Sequence, residues 1–181
     1  MCGIVGAISE RNVTPLLLEG LKRLEYRGYD SAGVSVLNQG ALHTTCALGK
    51  LSQLRAALQD DPKPGTIGIG HTRWATHGAP TEANAHPHCS ANVSVVHNGI
   101  IENYQDLRQE LMEDGAVFTS ETDSEVIPHL IERELSRGLA TVDAVRNAIK
   151  RLEGAFALGI LVRGDEEMLV ASRRGSPLIV G

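Results

Sequence analysis

MCGIVGAISE, residues 1–10, places a cysteine directly behind the initiator methionine and follows it with small and β-branched residues. Residues 3–9 read as a buried strand, and the glycines within it, Gly3 and Gly6, permit another element to approach closely. No basic region precedes the apolar stretch and Glu10 interrupts it, so it reads as part of the mature fold rather than a secretory signal. A residue as small as cysteine in second position also permits removal of Met1, which leaves Cys2 carrying both a thiol and a free α-amine. Their reference pKa values, about 8.5 and about 7.7–8.0, let the amine take the thiol proton near neutral pH. One residue can thus supply nucleophile and base, although a cysteine at position 2 carries no chemistry in many proteins. Cys46 and Cys89 have no comparable base in sequence and read as structural.

Outward from that strand, helical and extended spacing follow in mixed order. Thr14 and Pro15 read as an N-cap and first helical residue, with Leu17, Leu21 and Leu24 on one face until Gly28. Residues 33–37 and 41–46 read as a hairpin around Asn38, Gln39 and Gly40, and Leu51, Leu54 and Leu58 mark a short helix. Strands are predicted at 66–71 and 92–97. Tyr104, Leu107 and Leu111 restore helical spacing until Asp114 and Gly115; Val126, Leu130 and Ile131 do so again behind a Thr122 cap, with Pro128 in the first turns. A further helix starts at Thr141 and is expected to bury Val142, Val145, Ile149 and Leu152. Residues 155–162 and 167–172 read as a closing antiparallel pair. Strands in runs and helices in pairs do not make the regular alternation of a parallel sheet, so the fold class is α+β, helices packed on antiparallel sheets. No repeat is visible and DDPKPG at 60–65 is the only linker-like patch, so residues 1–181 read as one domain.

At 181 residues, 42% hydrophobic and 22% charged, the chain is long enough for one sizeable core. No apolar run approaches the roughly 18 residues of a membrane span. With 17 Lys and Arg against 22 Asp and Glu, a net charge of -5 argues against nucleic acid and anionic membranes as partners. Three cysteines without a CxxC pair make neither a disulfide framework nor a zinc ribbon, and a reducing cytoplasm is the expected compartment. His71, His77, His86, His88 and His97 show no HExxH or paired-ligand spacing, so no metal is expected. Without GxGxxG or GxxxxGK[ST], no dinucleotide or P-loop cofactor is expected either.

Three further motifs carry candidate chemistry. In GHTRWATHG, residues 70–78, Arg73 offers a planar fork suited to a carboxylate, and Trp74 and His77 can cover a small ligand. A surface arginine beside a half-buried tryptophan is equally a common structural arrangement. In VVHNGIIEN, residues 95–103, an apolar strand ends at Asn98 and Gly99. Asn-Gly is hairpin chemistry, but Ile100 onward resembles the start of a helix, and a side-chain amide beside an unhindered backbone N–H is what an oxyanion hole requires. In SETDSEV, residues 120–126, Asp123 falls in a first helical turn, where it reads either as a capping carboxylate or as a partner for a substrate ammonium.

With CGIVG at Cys2, LEYRGYDSAG at 24–33, NAHPH at 84–88 and SRRGSPLIVG at 172–181, these motifs form an ordered set over nearly the whole chain. The set resembles the glutaminase domain of class II glutamine amidotransferases, which are N-terminal nucleophile hydrolases, and most closely the branch serving aminosugar synthesis. The resemblance implies a four-layer αββα sandwich of two antiparallel sheets, with the first strand presenting Cys2 at one end. It implies hydrolysis of L-glutamine to glutamate and ammonia through a Cys2 thioester. Carried over by position, Cys2 becomes the nucleophile, its α-amine the base, and Asn98 with the Gly99 N–H the oxyanion hole. The same carry-over gives Arg73 the glutamine carboxylate and Asp123 its ammonium, has Thr76, His77 and Gly99 line the pocket, makes Trp74 a gate on the ammonia exit, and makes Arg27 a support for the nucleophile strand. It further implies partner sugar isomerase domains that spend the ammonia on fructose 6-phosphate and that are absent from a sequence stopping at Gly181.

Overall fold

The computed structural model describes residues 2–27, 30–74 and 79–181. In chain order the elements are β1 (Gly3–Ile8), α1 (Thr14–Leu24) with a 3-10 turn at Glu25–Arg27, β2 (Ser31–Asn38), β3 (Ala41–Leu48), α2 (Leu51–Asp60), β4 (Ile67–Arg73) and β5 (His88–Cys89). Then come β6 (Val93–Gly99), α3 (Tyr104–Glu113), α4 (Val126–Ser136), α5 (Thr141–Arg151), β7 (Phe156–Val162) and β8 (Val170–Arg174). Among the described residues the strands form two four-stranded sheets, ordered β1-β4-β2-β3 and β5-β6-β7-β8, with every strand pair antiparallel.

Three apolar layers stack these elements. Leu17 and Leu21 of α1 and Leu51, Leu54 and Leu58 of α2 pack on Val34 and Val36 of the first sheet. Leu107 and Leu111 of α3, Leu130 and Ile131 of α4 and Val145 of α5 pack on Val95, Leu158 and Ile160 of the second. Ile67, Ile69, Val96 and Leu161 meet between the sheets, with Ile4 and Leu42 against them. Successive residues of a strand face opposite sides, so Val95 serves the helix layer while Val96 serves the inter-sheet layer. Strand β7 is buried along its whole length, which is why FALGILV is an unbroken apolar run. The result is the expected αββα sandwich.

Strand register brings one end of both sheets together. Gly3 pairs with Thr72 and Ser31 with Arg73, so Cys2, the end of β4 and the start of β2 are neighbours. Close packing of the first strand also holds: a Cβ on Gly3 would lie 2.7 Å from Leu24 Cβ. Among the described residues, no helix is long and apolar enough to cross a membrane.

Local details correct three expectations. Helix α1 begins at Thr14 itself, after Val13; the Thr14 N–H is capped by Asn12 Oδ1 at 3.1 Å, and the Thr14 hydroxyl donates to Lys63 O instead. Thr122 does not cap α4, which starts at Val126, because its hydroxyl is engaged with His88 and Ser120. Val142 is 47% exposed, and Ile149 only partly buried. The buried face of α5 is Ala144, Val145 and Ala148, continued by Leu152; at 100° per residue Val142 lies about 100° from its centre.

Candidate active site

The Cys2 side chain lies against the backbone that leaves β4. Its Sγ accepts a hydrogen bond from the Trp74 N–H at 3.2 Å and sits 3.5 Å from the Trp74 carbonyl oxygen. Burial pushes the thiol pKa above its usual value; the Trp74 N–H and the Arg73 charge oppose this without cancelling it. A thiol so placed needs a base to become a nucleophile.

Across the gap, β6 delivers Asn98. Its Nδ2 donates to the Cys2 carbonyl at 3.1 Å and its Oδ1 lies 2.9 Å from His71 Nε2. Gly99 has φ +140°, and a Cβ there would fall 2.0 Å from the Ala155 carbonyl oxygen, so only glycine fits this corner. The chain does not return as a hairpin: the Ile100 N–H donates to Ala155 O, and a turn leads on to α3.

Asp123 is not a cap for its own helix. Its Oδ2 accepts from the Ile101 N–H at 2.8 Å and its Oδ1 from the Ser124 hydroxyl at 3.3 Å, which ties the acidic loop to the Asn98–Gly99 corner. The loop is held by Glu125, whose carboxylate accepts from the N–H and hydroxyl of both Thr119 and Ser120. Arg73 is 4% exposed, donates to Ala79 O at 3.3 Å and has Nη1 3.9 Å from Asp30 Oδ1.

Cys2, Arg73, Trp74, Asn98, Gly99 and Asp123 all line one cleft. Trp74 is 46% exposed at its rim. Thr76, His77 and the Arg27 side chain lie outside the described residues. Neither Cys46 nor Cys89 lines the cleft; Cys46 donates to His86 O and burial pushes its thiol up to about 12, whereas Cys89 is exposed.

A thiol, an amide corner and side chains of opposite charge share one cleft. Residues 71–179 match the family described as a glutamine amidotransferase domain. The chain belongs to the glutamine amidotransferase family. Isomerizing glutamine–fructose-6-phosphate aminotransferases from Pseudomonas putida and Mesorhizobium japonicum are 59% and 58% identical to it, over the whole of this chain. The chain spans 30% of the length of each of these relatives. A solved glutamine phosphoribosylpyrophosphate amidotransferase from B. subtilis matches 96% of this chain and 37% of its own, with a TM-score of 0.81 at 25% identity. A second, an allosteric regulatory enzyme of purine biosynthesis, matches 89% of this chain and 35% of its own, with a TM-score of 0.77 at 28% identity. The sandwich is the N-terminal nucleophile hydrolase fold of these amidotransferases.

Within this amidotransferase domain the structure adds residues that motif reading passed over. Asp30 sits against Arg73, and its carboxylate also accepts from Ser31 Oγ at 2.9 Å. His71, His86, His88 and His97 form a buried cluster, of which His86 and His97 reach the cleft wall: the His71 and His86 rings stack at 4.2 Å and His86 meets His88 edge-on at 4.5 Å. Burial holds His71 down to about 3 and His88 and His97 to about 4, and pushes His86 well below its usual value, so the cluster is neutral at physiological pH. Three of the rings contact residues that line the cleft: His71 contacts Asn98 at the end of β6, His88 contacts Thr122 at 2.9 Å, and His97 Nδ1 contacts Ser124 Oγ at 2.7 Å. No local pattern marks these contacts in the sequence, because β4 and β6 carry other polar residues beside the histidines and belong to different sheets. Among the described residues, no group of three or more potential ligands is arranged to hold a metal ion.

Proposed function

We propose that this chain hydrolyses the side-chain amide of L-glutamine to glutamate and ammonia, with Cys2 as the nucleophile. The observation that carries the reading is one cleft containing the Cys2 thiol, the Asn98–Gly99 corner and the charged pair Arg73 and Asp123. After Met1 is removed, the free amine of Cys2 takes the thiol proton, and the thiolate adds to the amide carbon. Asn98 Nδ2 and the Gly99 N–H stabilise the oxyanion; each such donor lowers the barrier by roughly 3–4 kcal/mol. The tetrahedral adduct collapses as the ammonium of Cys2 protonates the departing nitrogen. Water, deprotonated by the same amine, then hydrolyses the γ-glutamyl thioester and restores the thiol.

Arg73 holds the α-carboxylate by its fork and Asp123 the α-ammonium, with Thr76, His77 and Gly99 lining the pocket, Trp74 gating the exit of ammonia and Arg27 bracing the first strand. Residues 1–181 are the glutaminase domain of a longer cytoplasmic protein, in which sugar isomerase domains use the ammonia to convert fructose 6-phosphate to glucosamine 6-phosphate. The identity to isomerizing aminotransferases over 30% of their length supports this destination. The test is release of glutamate and ammonia by the purified chain with a mass-verified N-terminus. Hydrolysis is expected from the wild type and from neither Cys2→Ala nor a chain extended ahead of Cys2; undiminished hydrolysis by Cys2→Ala would sink the proposal.

A further inference from the structure

We infer that His71 is a positioning residue whose Nε2–H fixes the Asn98 carboxamide with its nitrogen toward Cys2; the inference rests on the glutaminase reading above. An asparagine amide is nearly symmetric in shape, and the wrong face would present an oxygen where the oxyanion forms. What decides the orientation is two main-chain carbonyls, which only accept hydrogen bonds. His71 is 1% exposed, and its Nε2 lies 3.1 Å from His97 O as well as 2.9 Å from Asn98 Oδ1. The His97 carbonyl requires a hydrogen on Nε2 whatever Asn98 does. With that tautomer set, only an oxygen of Asn98 can face the ring.

On its other side Asn98 faces the Cys2 carbonyl at 3.1 Å, which requires a donor and so selects the same orientation. One hydrogen of Nδ2 is used there, and the other is left for the cleft. The opposite tautomer would bury an unbonded Nδ1–H, because His71 Nδ1 has no hydrogen-bond partner among the described residues. Burial keeps the ring neutral, and stacking on His86 at 4.2 Å holds its plane. His71 therefore acts on the oxyanion through Asn98 and touches no substrate.

The experiment compares His71→Leu, His71→Gln and His71→Asn in glutamine hydrolysis and in alkylation of Cys2 by iodoacetamide, which displaces iodide and forms no oxyanion. Leucine removes the donor, glutamine returns an N–H near the Nε2 position, and asparagine places one near Nδ1. His71→Leu is expected to lower kcat by tenfold or more, within the roughly 10²–10³-fold cost of losing an oxyanion donor, while KM stays within about threefold. Cys2 alkylation should keep its wild-type rate, and His71→Gln should recover much of the kcat that His71→Asn does not. Unchanged kcat in His71→Leu, or a fall in kcat matched by a fall in alkylation, overturns the inference. Equal kcat in the glutamine and asparagine variants overturns it even if the leucine variant does not fold. Absence of hydrolysis by the wild type would instead overturn the glutaminase reading, and this inference with it.

Discussion

Replacing Asp123 separates its two roles, because the structure gives its carboxylate an internal partner as well as a place in the cleft. Oδ2 accepts the buried Ile101 N–H at 2.8 Å, a bond that asparagine can still accept with its single oxygen and alanine cannot. Asp123→Ala leaves that N–H unsatisfied, which costs about 1–3 kcal/mol and, for a domain of this size, lowers Tm by roughly 2–12 °C. Asp123→Asn should cost less than about 1 kcal/mol of stability yet remove the charge meant for the substrate ammonium. A hydrogen bond to a charged partner contributes about 1.5–3 kcal/mol, so kcat/KM for glutamine should fall roughly 10- to 150-fold. The fall should reside mainly in KM, because the ammonium carries the same charge in the ground and transition states. Thermal unfolding and steady-state kinetics on both variants decide it. An Asp123→Asn chain with wild-type kcat/KM would refute the assignment, and an Asp123→Ala chain with wild-type Tm would refute the structural role.

Asn98→Ala should lower kcat by about 10²–10³ with KM little changed, since its amide serves a charge present only near the transition state; steady-state kinetics showing the reverse split would move Asn98 to ground-state binding. Gly99→Ala should lower both Tm and kcat, because its Cβ would lie 2.0 Å from Ala155 O at a φ of +140°, and a calorimetric scan beside a hydrolysis assay checks both. Cys46→Ala and Cys89→Ala should leave kcat/KM within about twofold, the Cys46 thiol being held up to about 12 by burial. Glu110 accepts hydrogen bonds from Arg151 and Arg133, which hold its carboxyl down to about 2; its stabilisation is therefore full above its unfolded pKa and lost as pH falls toward 2. The Tm gap between wild type and Glu110→Gln should accordingly be wider at pH 6 than at pH 3.

The strands most readable from sequence were those whose burial leaves a continuous apolar record, such as β7 and the start of β6. The two-residue strand β5 left no record, because His88 and Cys89 pair for too short a span to show a period. The Asn98–Gly99 corner was ambiguous for a local reason: hairpin turns and strand-to-helix corners use the same residues, and only the approach of Ala155 from β7's approach segment selects between them. Thr122 sits at capping distance in sequence from a helical period, yet Glu125 gathers Thr119 and Ser120 around itself and delays the helix to Val126. The histidine contacts were illegible because His71 and His97 meet only when the two sheets stack, a tertiary event with no trace in either strand's own pattern.

The central claim is that Cys2 forms a covalent bond to the side-chain carbonyl carbon of a glutamine-like substrate. It is tested most directly by treating the purified chain with a glutamine-mimicking electrophile and reading the adduct by intact mass and peptide mapping. The account predicts one adduct per chain, on a Cys2 that begins the mature polypeptide, blocked by excess glutamine and absent from Cys2→Ala. An adduct on Cys46 or Cys89, or full labelling of Cys2→Ala, would contradict it.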